Sequence, residues 1–354
     1  MEKSQIYANS LRASVPVDLG LARCRDSEVK FGWPESQWGG IFTSFMMLTS
    51  ISGPSAFVRI LSLMVLAICM GAMAVHAERV ALGDVRVALK AYEDLTHKEV
   101  TRLGSKVMNM GDQAWLHAET DHYVLHGTDD RLMHQVAYEV EFAHRELDRY
   151  FGTSTDMNKG HVFVINDKTV WHDLLRSGKS PHRSMAMHLQ SNIFVYREGD
   201  APSDTVKIPH ELIHLRVLQH YGSDCPFWAE EGLAEHLGWV LANRYYWLRY
   251  ERLLVQTFPA TAEENILAWK ELESLPAYPD DPELARHVKR QVQRMGKALL
   301  ARMGHDKIPL FLDTFLGEKM SLREGLTGPM GMSADDVDQL EAASREILLH
   351  EEEE

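Results

Sequence analysis

The chain has 354 residues, 45% of them hydrophobic and 25% charged, with a formal net charge of -14. This composition is globular, with enough apolar residues to bury a sizeable core. The acidic balance and the lack of a basic stripe exclude nucleic acid as a partner.

Residues 60–75, ILSLMVLAICMGAMAV, form an uncharged apolar run behind Arg59, with small residues at Val75 and Ala77. This order predicts a secretory signal peptide cut after Ala77. An uncleaved membrane anchor is the other reading, but the run is shorter than the ~20 residues that span a bilayer comfortably. Ile68 before Cys69 is too bulky for a lipoprotein signal. Met46 and Met47 would start a signal peptide of ordinary length. The expected organisation is therefore an extension over 1–45, a signal peptide over 46–77, one main domain over 78–330 and a C-terminal helix with an acidic tail over 331–354. The expected location is secreted or periplasmic, with no membrane contact after cleavage. Downstream of the cut only Cys225 remains. No intrachain disulfide is then possible, and the core alone must hold the fold.

Along the rest of the chain, residues 84–104 have apolar spacing that suggests a helix. HYVLHG (122–127) reads as a short strand and residues 129–152 as a long amphipathic helix ended by Gly152. HVFVIND (161–167) is a strand, 169–175 a short helix, and 183–200 one or two strands. Asp204 is placed to cap a helix that stops at Gly222. Helices follow from about Phe227 to Leu254, over 280–304, over 306–317 and after Ser333. Strands come early and helices dominate after residue 204. The expected fold class is α+β: a small, mostly antiparallel sheet with helices on one face, followed by a helical half.

The chemistry gathers in KIPHELIHLRVLQHYG (207–222). On a helix, His210 and His214 lie about 40° apart and direct their imidazoles toward one point. Neutral imidazole is a good zinc ligand. Glu211, about 100° round from His210, falls beside such a metal, where it can take a proton from water. Against this stands a bland reading, a polar helix face over a core of Ile208, Leu212, Ile213, Leu215 and Val217. A catalytic zinc needs a third protein ligand. PFWAEEGLAEHLGW (226–239) offers Glu231, with Gly232 allowing close approach of the two helices and Glu235 four residues on. Glu235 is placed to accept the other ring N–H of His210. The adjacent Glu230 competes for the ligand position.

HELIH followed by WAEEGLAEH resembles the gluzincin group of zinc metallopeptidases, and more closely the peptidase MA-like exported bacterial proteins. The resemblance is strong over 207–239 and looser over 113–200 and 282–350. It implies a zincin-like domain with His210, His214 and Glu231 as zinc ligands and Glu211 as general base. It favours Glu231 over Glu230, because the ligand directly precedes the glycine. Related enzymes also place a tyrosine on a downstream helix to stabilise the oxyanion. The corresponding helix here, ELARHVKRQVQRMG, has none. His287 is the candidate taken for that role, with Lys289, Tyr245, Tyr246, Tyr250 and Tyr278 as other possibilities.

SNIFVY (191–196) resembles the edge strand that binds extended substrate, which makes Asn192, Ile193 and Phe194 candidate substrate contacts. His117, His122, His126, His134 and His144 show no ligand-like set, and His220 and His236 read as surface groups or supports of the site. Cys225 reads as incidental. The expected function is zinc-dependent hydrolysis of protein or peptide substrates outside the cytoplasm. The alternative is a non-catalytic, zinc-stabilised peptide-binding relative. Oligomeric state is not legible.

Overall fold

The computed structural model describes residues 85, 87–111, 113–152, 159–178, 186–189, 192–197, 207–251, 253–254 and 260–350. The expected N-terminal extension and signal peptide, the Asp204 cap and the four-glutamate tail lie outside the described residues. None of the described helices is long and apolar enough to cross a membrane.

In chain order the main elements are β1 (Ala88–Lys90), α1 (Arg102–Met108), β2 (Leu116–Glu119), β3 (Tyr123–Gly127), α2 (Asp130–Phe151), β4 (Gly160–Ile165) and α3 (Lys168–Gly178). Then come β5 (Ala186–Leu189), β6 (Asn192–Tyr196), α4 (Lys207–Tyr221), α5 (Phe227–Tyr250), α6 (Trp269–Glu273) and α7 (Pro282–Met303). The chain ends with α8 (Ile308–Phe311), which runs into a π-helical turn (Leu312–Gly317), then α9 (Leu322–Thr327) and α10 (Ala334–His350).

The fold is α+β. Among the described residues the strands form one sheet in the order β1-β2-β3-β4-β6-β5. It is mixed: β3, β4 and β6 run parallel in the middle, and antiparallel ladders flank them on both sides. The parallel centre follows from α2. A 22-residue helix between β3 and β4 is long enough to carry the chain back to the starting end of the sheet. Asp129 caps that helix, its side chain accepting from the Leu132 amide at 2.9 Å. Gly152, at φ +77°, ends it.

Residues 87–101 are not an α-helix; they hold a strand and one 3-10 turn, Tyr92–Asp94. Val85, Val87 and Leu89 alternate, which is strand periodicity, and Ala88–Lys90 pairs with β2. Helix begins only at Arg102, where Thr101 Oγ1 accepts from the Gly104 amide. Helices also cover both sheet faces, where one was expected. Strand alternation gives each face its own core: Tyr123, Leu125, Val162, Val164, Ile193 and Val195 pack toward α2, α4, α5 and α7. Phe163, Ile165, Phe194 and Tyr196 pack toward α1 and α3.

β6 is interior. It is bonded to β4 on one side and β5 on the other, so the expectation that Asn192, Ile193 and Phe194 lie on an edge strand is corrected. All three are fully buried. The edge beside α4 is β5.

Candidate metal centre

α4 is a short, nearly all-round buried helix, with Ile208 through Ile213 inside. It lies between the sheet and α5, and α5 in turn packs against α7. Two glycines set these distances. A Cβ on Gly238 would stand 3.2 Å from the backbone of His210, so Gly238 lets α5 approach α4. Gly232 serves a different contact from the one expected. It faces α7, where a Cβ on Gly296 would stand 2.2 Å from its carbonyl oxygen.

With the helices at these distances, three side chains converge. Nε2 of His214 lies 3.1 Å from Nε2 of His210 and 3.5 Å from Oε1 of Glu231. Nε2 of His210 lies 3.9 Å from Oε2 of Glu231. The three ligand atoms fall within 4.8 Å of one another and could hold a metal ion. Each imidazole offers Nε2 to the shared point and uses Nδ1 elsewhere. His210 Nδ1 is 3.4 Å from Glu235 Oε1, and His214 Nδ1 is 2.7 Å from Glu230 Oε1. Thus Glu231 turns inward, while Glu230 supports His214 from behind.

Burial strips His210 of affinity for a proton, and the nearby cations of His214, Lys289 and Lys207 add to this, so it is a neutral imidazole. Burial also pulls His214 down, but the carboxylates of Glu231, Glu230 and Glu211 outweigh it and raise the ring to about 10. The two Nε2 atoms stand within hydrogen-bond distance of each other, at 3.1 Å. Burial pushes Glu211 up; the His214 charge opposes this and Glu231 reinforces it.

Tyr278, from the loop before α7, donates its hydroxyl to Glu231 Oε2 at 2.8 Å. The sequence offers Tyr278 only as one of several tyrosine alternatives to His287, and nothing ranks it above Tyr245, Tyr246 and Tyr250, because it lies on no helix face and follows no spacing rule. His287 is not among the converging ligand atoms. It stands two positions from Lys289 on α7, about 200° round the axis, and Lys289 faces inward to pair with Glu235. Among the described residues, His287 Nδ1 is buried without a hydrogen-bond partner. Tyr245 and Tyr246 pack with Phe142 in a separate cluster.

The other histidines find local partners. His122 pairs with Glu141, and His144 bonds Tyr123 and Arg216. His236 is buried against His305, not at the surface. His117, His126 and His161 form a row across β2, β3 and β4 with two N···N contacts of 2.9 Å. His126 uses a different nitrogen for each neighbour, so the row does not converge on one point. Cys225 stays outside the group, its thiol on the Gly222 carbonyl.

No family model matches this chain, and no curated protein matches it closely enough to count as a relative.

Proposed function

We propose that this protein is an exported zinc-dependent peptidase whose centre is His210, His214 and Glu231. The observation that carries the reading is the convergence of these three ligand atoms with a tyrosine hydroxyl bonded to one of them. Two imidazole nitrogens and a carboxylate oxygen are a catalytic zinc donor set. Ligand atoms about 2.1 Å from a tetrahedral ion stand roughly 3.4 Å apart, close to the observed spacings of 3.1, 3.5 and 3.9 Å.

Zinc held there would supply Lewis acidity toward a carbonyl and acidify a water. Glu211 takes the proton of the attacking water and passes it to the leaving amine, a role suited to a buried carboxylate whose proton affinity is raised. Tyr278 turns its hydroxyl from Glu231 toward the developing oxyanion.

The test is metal content and peptide hydrolysis of the purified protein and two variants. Glu211→Gln keeps its zinc and loses about 10²–10⁴-fold in kcat. Tyr278→Phe keeps its zinc and loses about 10²–10³-fold. Stoichiometric zinc with no hydrolysis by the wild type would leave the non-catalytic peptide-binding reading standing. A wild type without zinc removes both.

A further inference from the structure

The zinc reading leaves two half-buried lysines beside the site without a role. Lys207 stands in the first turn of α4, three residues before His210. Lys289 comes from α7, one turn before Val292 and two before Gly296, the residues that touch Gly232. This helix crossing brings the Lys289 ammonium onto Oε1 of Glu235. The same oxygen lies 3.4 Å from Nδ1 of His210. Glu235 is 5% exposed. Lys207 lies within electrostatic reach of Lys289, Glu235 and Glu211.

We infer that Lys289 is a positioning residue of the metal centre, acting through Glu235 to hold the His210 ring with Nε2 toward the metal point. The inference rests on the zinc reading above. A buried carboxylate without a counter-charge is strongly unfavourable, and its removal from water must be offset locally. The Lys289 ammonium offsets it here and pins one oxygen between α7 and α4. His210 then keeps a carboxylate oxygen 3.4 Å from Nδ1, in addition to its hydrogen bond with the Ala234 backbone, and this charge holds the ring against rotation of Nε2 away from the other ligands. Without the ammonium, Glu235 turns toward water and His210 loses that neighbouring carboxylate. Three helices therefore meet in one chain of contacts, Lys289–Glu235–His210. Lys207 forms no ion pair with Glu235 within salt-bridge distance among the described residues.

The experiment measures zinc affinity of the full chain by competition with a chelator, together with the melting temperature of the metal-free protein. Lys289→Met weakens zinc binding about 10–100-fold, the range for groups that orient a ligating histidine. Lys289→Arg restores most of it, and Lys207→Met has a smaller effect than Lys289→Met. In a Glu235→Gln background, Lys289→Met causes no further loss. Lys289→Gln, which keeps a donor and removes only the charge, is read in the same way should Lys289→Met fail to fold. Unchanged zinc affinity in the Lys289 variants overturns the inference while leaving the zinc site intact. So does a loss that persists at full size in the Glu235→Gln background. A wild type that binds no zinc overturns the site itself and the inference with it.

Discussion

Glu230 and Glu231 are neighbours in the chain and meet opposite sides of the same imidazole. Residues one apart on a helix point about 100° apart. Glu231 therefore faces Nε2 of His214 and Glu230 faces Nδ1. Their removal has different consequences. Glu231→Ala abolishes stoichiometric zinc, because it takes away one of three donors. Glu230→Ala keeps the donor set and weakens affinity about 10–100-fold, because it removes only the acceptor that orients His214. Metal analysis of the two variants checks this, and the reverse order would exchange their roles. At this scale HELIH was fully legible, since four-residue spacing on a helix determines which atoms share a face. Tyr278 was not. Its hydroxyl meets Glu231 from 47 positions away in the chain, through a loop, and no local rule links the two.

Among the elements, the crossing of α5 and α7 governs the site most directly. Gly232 and Gly296 meet backbone to backbone, and Glu235 and Lys289 face each other beside that contact. Gly296→Ala would place a Cβ 2.2 Å from the Gly232 carbonyl oxygen, so the helices must move apart. The expected cost is about 1–3 kcal/mol. The same substitution lengthens the Lys289–Glu235 contact, so zinc affinity falls as well. Thermal melting of the metal-free protein reads the first effect and chelator competition the second. An unchanged melting temperature would show that the crossing is looser than the geometry requires. Helix ends were legible where glycine adopts positive φ, at Gly152 and Gly222. Helix partners were not: Gly232 was expected to face α4 and instead faces α7, because a glycine marks close approach without saying to what.

Across the whole molecule, buried neutral histidines tie stability to pH. Burial lowers His161 to about 4, and His144 and His236 to about 3, with nearby cations adding to the shift. Burial also holds His126 well below its usual value. In the unfolded chain these groups protonate near pH 6.5. Below that pH the unfolded state binds more protons, so stability is complete above about 6.5 and is lost as pH falls through the acidic range. His122, raised by its bond to Glu141, and His214, raised by Glu231, Glu230 and Glu211, work in the opposite direction, but most of their effect falls above pH 6.5. Each pH unit below 6.5 costs up to ~1.4 kcal/mol per histidine. Urea unfolding at pH 7 and pH 5 should therefore differ by about 2 kcal/mol or more. Equal stability at the two values would mean that these imidazoles are not held neutral.

The sequence alone determined the local features: an α+β order of elements, a capped 22-residue helix, and a helix that presents two imidazoles and a glutamate in fixed relation. Each follows from periodicity, capping or spacing within a few residues, where backbone geometry dictates the outcome. Only the tertiary structure decided the parallel centre of the sheet, the edge position of β5, the division of roles between Glu230 and Glu231, and the arrival of Tyr278 and Lys289 at the site. These depend on which distant surfaces pack together. That choice comes from the summed burial of both sheet faces and the close glycine crossings, and no short stretch of sequence contains it.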